Sequence, residues 1–385
     1  MAAVTAHVHD EARWQNLILW RYGAISLVLV ALLAVGFGVL GGTYIATSVR
    51  NAQVYQRAET LASLSSDVTG LAAALEDERD QTMEYIGQGV NGRQGSLSGA
   101  QAGTTASQNL SLVRQEQSLT APWMHKVSTD SAAVGGGYPA QVQEDAANVA
   151  DVLGLLGPLR VAATSTQLPA VVVMQKYTKM IDSLLSIDDN IALGSADPAL
   201  SNDVRSLSLV SLIDEQASEQ RGLLAYSFAQ DQKFDPNVLA TLRTAQDEQA
   251  ANFAEFTRVA TAQQLALYQN RVQGSLVDFA SSGENQAIQI GVAGQRLQVL
   301  PTTANQWYGA MSTGTIGGIR GVEQNLVAAT IARASALRQS AIVTASVIGV
   351  VILIVLLLAV LLISLVGRRI FGQRRGPSLR TTALG

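Results

Sequence analysis

The stretch Val54–Gly87, VYQRAETLASLSSDVTGLAAALEDERDQTMEYIG, settles the architecture. Its apolar positions Val54, Leu61, Leu64, Val68, Leu71 and Leu75, continued by Thr82 and Ile86, recur in steps of three and four or their sum. Side chains so spaced line one side of a helix and form a bundle or coiled-coil seam. The same stepping returns at Leu207, Val210, Asp214, Ala217, Arg221, Leu224 and Phe228.

Working outward, residues 50–339 are rich in Ala, Leu, Gln, Glu and Ser, which favour helix over sheet. The one β-branched cluster, Pro169–Met174, lies inside a longer helical pattern. Further helices are expected at roughly 104–120, 140–163, 168–193, 236–280 and 301–339. Six glycines between Gly87 and Gly103 mark a loop, and VGGGYP at Val134–Pro139 marks a turn. Asp197-Pro198 and Asp235-Pro236 each read as an N-cap followed by proline at the first helical position. Short breaks between long helices give up-down bundles, and about 290 residues exceed a single four-helix bundle. Two such bundles sharing long helices are expected.

Only 15% of the 385 residues are charged, against about 25% in ordinary globular chains. Membrane segments are the first candidate cause, and two uncharged runs stand out, Gly23–Val49 and Ser340–Val366, the second centred on VIGVVILIVLLLAVLLISLV. As helices of about 1.5 Å per residue, each exceeds the roughly 30 Å hydrocarbon core of a bilayer. Ala46-Thr47-Ser48 resembles a cleavage site, but the first run is longer than a signal-peptide core and reads as an uncleaved anchor. Arg13 and Arg21 precede the first run, and Arg368, Arg369, Arg374, Arg375 and Arg380 follow the second. The positive-inside bias then puts both termini in the cytoplasm. The expected organisation is a cytoplasmic N-terminus (1–22), a transmembrane helix (23–49), an extracytoplasmic helical domain (50–339), a second transmembrane helix (340–366) and a basic cytoplasmic tail (367–385). The fold class is all-α, with two cell-membrane spans flanking the outer domain.

Little catalytic chemistry is on offer. There is no cysteine, and the three imidazoles are His7, His9 and His125. His7 and His9 read as an incidental terminal pair, and His125 as a surface or packing residue. No P-loop, G-x-S-x-G or H-E-x-x-H occurs. The chain is read as a non-enzyme with no cofactor and no metal. A pI near 5.5 gives no reason to expect nucleic acid as a partner.

Two arginines stand out. Arg79 lies four after Leu75 and three before Thr82; Arg221 lies four after Ala217 and three before Leu224. Both sit on or beside the apolar stripe, and an unpaired buried guanidinium is costly at any accessible pH. The ordinary resolution is a carboxylate from a neighbouring helix, with Glu76, Glu78, Asp214, Glu215 and Glu219 as candidates. The functional alternative is a small planar oxyanion of nitrate size, held by two guanidinium forks in two-point contact.

The stretches LAAALEDERDQTMEYIGQG (71–89) and SLIDEQASEQRGLLAYSFAQ (211–230) resemble the two signature helices of the nitrate- and nitrite-sensing (NIT) domain family. The resemblance covers roughly 55–280, with flanking membrane helices placed as in membrane-bound receptors of that family. It implies two four-helix bundles that bind nitrate or nitrite between them through arginines, which fall here on Arg79 and Arg221. The family's first helix often carries adjacent arginines; here Glu78 precedes Arg79 and Asp80 follows it. Such receptors usually continue into a kinase or chemotaxis rod, for which the tail after Val366 leaves no room. Output through a separate cytoplasmic partner, or a shortened relative of a longer receptor, is expected, as is a homodimer. The rival to the sensor is a ligand-free helical membrane scaffold.

The orientation is testable in a chain without native cysteine. With Ser98→Cys and, separately, Ser378→Cys, a membrane-impermeant maleimide applied to intact cells is expected to label position 98 and spare 378. The reverse pattern would place the helical domain inside.

Overall fold

The computed structural model describes residues 2–88, 100–165, 168–194, 197–230, 234–297 and 304–372. In chain order these form α1 (Ala2–Gly87), α2 (Ala100–Ala132), α3 (Ala140–Ser165), α4 (Ala170–Gly194), α5 (Pro198–Ala229), α6 (Pro236–Val259), α7 (Ala262–Arg271), α8 (Ser275–Val292), α9 (Ala304–Ala310), a π-helical turn (Met311–Ile316) and α10 (Gly317–Gly372). No strand occurs among the described residues. The all-α reading therefore holds, with apolar helices at both ends of a helical domain.

Local signals explain most boundaries. Asp197 accepts a hydrogen bond from the Leu200 amide at 2.8 Å, and Asp235 one from the Asn237 amide at 2.8 Å, each ahead of a proline. The expected single helix over 236–280 is instead three. Thr261 and Gln264 form a reciprocal capping box that starts α7. Gly274, at φ +106°, takes a backbone conformation that a Cβ would oppose, and α8 begins after it. The expected helix over 301–339 is divided by the π-turn. The glycine-rich stretch after Gly87 falls largely on 89–99, and the end of the basic tail on 373–385; both lie outside the described residues.

The chain divides into two units, Gln56–Ser335 and a second formed by Met1–Tyr55 with Ala336–Gly385. Within the first, α2 packs on α3, α3 on α4, α4 on α5, α5 on α6 and α6 on α8, which meets α9 and the π-turn. Side-chain bonds tie the end of α1 to α2, α3, α4, α5 and α10. The seam of α1 is buried as its period requires, with Leu64, Val68, Leu71 and Leu75 fully enclosed. Helix α5 is buried on all sides from Ser206 to Ser227 apart from Leu212. It is a central helix rather than an amphipathic one.

In the second unit, the apolar parts of α1 and α10 meet where Gly41 faces the Ile352 side chain. Among the described residues, three helical stretches are long and apolar enough to cross a bilayer, their most apolar 18-residue windows having mean hydropathy 2.2 within Val28–Gly87, 1.3 within Ala140–Ser165 and 3.5 within Ala304–Leu365. The middle one is α3. It buries Val142, Ala146, Val149, Leu153, Leu156, Leu159 and Ala163 within the helical domain, so its apolar character serves that packing.

Leu71→Ala deletes a fully buried side chain at the centre of the α1 seam. Denaturant titration of the full chain in detergent, followed by helical signal, is expected to show a loss of roughly 2–5 kcal/mol. A loss below about 0.5 kcal/mol, the range of surface changes, would contradict the enclosed seam.

Candidate functional site

Five consecutive charged residues, Glu76, Asp77, Glu78, Arg79 and Asp80, follow Leu75 on α1. Successive residues turn by about 100° around a helix, so the run points in every direction and needs partners on every side. Arg79 is fully buried. Its Nη1 donates to Glu215 Oε1 and, at 2.9 Å, to Thr178 Oγ1 of α4; its Nε donates to Asp80 Oδ1 at 3.3 Å. Arg221, 3% exposed, donates from Nε to Asp80 Oδ2 at 2.7 Å, from Nη2 to Asp77 Oδ1 at 2.6 Å and from Nη1 to Ser312 Oγ at 3.1 Å. Its guanidinium carbon stands 5.3 Å from the centre of the Tyr308 ring, a cation–π contact.

The two arginines therefore meet through one carboxylate. Asp80 takes Arg79 on Oδ1 and Arg221 on Oδ2, and Ser218 Oγ donates to Oδ2 at 2.9 Å. Gly222 makes this approach possible: a Cβ there would stand 2.5 Å from Asp80 Oδ1. The π-turn contributes too, because Ser312 lies within it and reaches Arg221.

Two further arginines complete the network. Arg320 of α10 donates to Asp214 Oδ2 at 2.9 Å, Asp77 Oδ2 at 2.9 Å, Glu76 Oε2 at 2.8 Å and the Ala73 carbonyl at 3.2 Å. Arg160 of α3 forks onto Glu78 at 2.7 and 2.5 Å, where Tyr177 Oη and Thr120 Oγ1 each donate at 2.9 Å. Neither was among the sequence candidates. Each is an isolated cation at the end of or within a long, otherwise uncharged run of sequence, 297–319 before Arg320 and 152–175 around Arg160, and such isolation is the signal that marks them. Of the partners expected for Arg79 and Arg221, the structure places Glu215 on Arg79; Asp77 and Asp80 take the rest.

Carboxyls outnumber guanidiniums here, and burial raises the proton affinity of several of them. Burial and then the neighbouring Asp214 push Glu76 up to about 8, against the pull of Arg320 and Arg79. Burial raises Asp214 to about 6, opposed by Arg320, and Glu219 to about 7, opposed by Arg79. Glu215 is raised by burial in spite of Arg79. For Asp77 burial is again the largest single influence, but Arg320 and Arg221 together outweigh it and hold it below the usual carboxylate range. Burial would lower Arg79, but Glu215 and Asp80 more than compensate and keep it charged. Three atoms in this dry network lack a hydrogen-bond partner among the described residues: Arg79 Nη2, Asp214 Oδ1 and Glu215 Oε2.

The grooves described on the surface lie elsewhere, between α3 and α4 and around Pro169, Tyr226 and Asp235. What the arginine network offers is two charged forks converging on one planar anion.

Comparison with known proteins bears on this arrangement. A family model described as nitrate and nitrite sensing matches residues 70–331, a span that contains Arg79, Asp80, Arg221 and Arg320. No curated protein matches the chain. A solved structure, that of the NasR transcription antiterminator, superposes with a TM-score of 0.63 over 85% of this chain and 83% of that one. At 21% identity the likeness is one of fold.

A carboxyl whose pKa is higher in the fold than in the unfolded chain contributes fully below the unfolded value, and its contribution is lost as pH rises through the folded value. Glu76, Asp214 and Glu219 are of this kind. The melting temperature of the full chain in detergent is therefore expected to fall between about pH 5 and about pH 8, and Glu76→Gln is expected to flatten that fall. A melting temperature that climbs across the window would contradict the raised carboxyls.

Proposed function

The chain belongs to the nitrate- and nitrite-sensing family, and from that premise we propose that its helical domain binds nitrate, nitrite or a similar small anion at Arg79 and Arg221. The observation that carries this reading is Arg79 Nη2, a guanidinium donor without a partner on a fully buried side chain. Leaving such a donor open in a dry core costs about 1–3 kcal/mol or more, and a planar oxyanion satisfies it.

On this reading Asp80 is the competitor. Its carboxylate is flat, singly charged and held by both arginines, and these are the features a nitrate ion would present. The incoming anion takes the place of Asp80, so ligand binding repositions α1 against α5. Helix α1, which carries Asp80, and α10, which carries Arg320, also hold the two long apolar runs. This continuity supports a membrane-anchored receptor with residues 50–339 outside, both termini inside, and a signal sent as a small helix displacement to a cytoplasmic partner. No chemical step is required of the protein, and it is read as a sensor and not an enzyme. The rival reading, a ligand-free membrane scaffold, has one observation in its favour: both arginines are already ion-paired.

Melting the full chain in detergent separates the two. An anion bound only to the fold stabilises it by about 2.7 kcal/mol at a hundredfold excess over Kd. Nitrate is expected to raise the melting temperature above that in chloride of equal ionic strength. Arg79→Ala and Arg221→Ala are each expected to abolish the increment, and Asp80→Asn, which keeps the shape and removes the charge, to enlarge it. A scaffold gives no nitrate increment in the wild type, and Asp80→Asn then only destabilises. If nitrate, nitrite and chloride give one melting curve for both the wild type and Asp80→Asn, the sensor reading fails for these anions.

A further inference from the structure

One carboxyl beside the arginines makes no hydrogen bond to any described residue. Glu219 of α5 stands one helical turn after Glu215, the partner of Arg79, and is 8% exposed. Arg79 in turn has Nη2 without a partner, and Glu215 leaves Oε2 open. The three side chains are enclosed together, and each has hydrogen-bonding capacity to spare.

The neighbouring helices fix what surrounds Glu219. Gln220 donates to Gln249 of α6 at 3.1 Å, which sets Glu219 level with Glu248, the residue before Gln249. Thr178 of α4 accepts from Arg79 at 2.9 Å, and Asp182 follows it by one turn. Asp182 and Glu248 are exposed. The charged groups that face Glu219 are therefore Arg79 and Asp80 of α1, Asp182 of α4, Glu215 on its own helix and Glu248 of α6. Burial first, then Asp182, Glu248 and Asp80, push Glu219 up to about 7 against the pull of Arg79. Glu219 thus links the buried guanidinium to an exposed acidic rim on α4 and α6.

We propose that Glu219 belongs to the anion site and acts there as a neutral acid: its carboxyl O–H donates to the oxyanion that Arg79 Nη2 holds, so that the ligand binds together with one proton. This rests on the reading of Arg79 and Arg221 as an anion site. An ionised Glu219 is an acceptor only and would face the ligand with like charge, whereas the protonated group is a donor. An oxyanion has an oxygen for Arg79 and another for Glu219. One proton passes from solvent to a Glu219 oxygen, and no other covalent bond changes. By linkage, the proton and the anion each favour binding of the other. Below about pH 7 Glu219 already carries its proton, so the Kd for nitrate is level there. Above it the proton must be taken up with the anion, and the Kd rises.

Calorimetric titration of sodium nitrate into the full chain in detergent reads the proton directly. The heats at pH 8 in two buffers of different ionisation enthalpy are expected to show uptake of about one proton per nitrate, and those at pH 6 close to none. The Kd is expected to be about tenfold weaker at pH 8 than at pH 6. Glu219→Gln, whose amide N–H donates at every pH, is expected to lose both the uptake and the pH dependence. Glu219→Ala loses them as well and is expected to bind several-fold more weakly than Glu219→Gln, because no donor remains. Glu76→Gln removes a second carboxyl that titrates in this range, and there the uptake is expected to persist. A wild-type Kd that is level from pH 6 to pH 8, uptake that persists in Glu219→Gln, or equal affinities in the Gln and Ala variants would each overturn the proposal and leave the anion reading standing. Absence of nitrate binding at every pH would overturn the anion reading itself, and this proposal with it.

Discussion

Charge enters a dry helical core only when it is matched, and α1 carries five charged residues in succession. Glu76 meets Arg320 of α10; Asp77 is shared by Arg320 and Arg221; Glu78 faces Arg160 of α3 with Tyr177 of α4 and Thr120 of α2; Arg79 reaches Glu215 of α5; Asp80 takes Arg221. A helix so decorated must be surrounded. Helices α2, α3, α4, α5 and α10 each supply a bonding partner to the Glu76–Asp80 turn. Such a network adds little stability over apolar packing of the same volume, because desolvation cancels much of the Coulomb gain. Its effect is on register: sliding α1 by one residue would break every pair at once.

The seam of α1 was legible because a helical period is written in the spacing of Leu and Val, and burial follows that spacing; α5 carries the same period but is buried on all sides, which the spacing does not reveal. The caps at Asp197 and Asp235 were legible because their chemistry is local. Thr261-Ala-Gln-Gln264 held a capping signal of the same local kind, but the continuing helical composition of 236–280 obscured it. The π-turn at Met311–Ile316 has no comparable signature, and Ser312 within it accepts from Arg221. At the site, the placement of Arg79 and Arg221 was legible because a guanidinium on an apolar stripe has few ways to be satisfied. Their partners were less so. Arg320 lies 243 positions from Asp77, and no local spacing joins them. Asp80 is adjacent to Arg79, yet its part in holding Arg221 appears only once α5 lies beside α1 and Gly222 leaves the space.

Apolar exposure also has to be assigned to its cause. The composition of α3 alone allows a membrane span, at a mean hydropathy of 1.3. Its inner face is accounted for by core packing, and Arg160 is held by Glu78 within the helical domain. What remains is an outward apolar stripe that includes Leu155 and Val161. Lipid would favour an apolar surface all round, whereas a protein partner favours a stripe with a polar rim.

The excess of carboxyls bears on how an anion could enter so acidic a core. Introducing a negative charge beside Glu76, Asp214, Glu215 and Glu219 is unfavourable if all of them are ionised. Burial raises the proton affinity of all four, and Glu76, pushed up to about 8, keeps its proton at neutral pH, which lessens the negative charge beside the arginines. On the proposed reading, exchanging the Asp80 carboxylate for a free oxyanion leaves the charge beside the two guanidiniums unchanged. The arginines are paired before and after, and what differs is the position of Asp80 and of the helix that carries it. A ligand shifts a conformational equilibrium only by its differential affinity for the two states. A tethered carboxylate that occupies the anion site in one state and leaves it in the other supplies that difference.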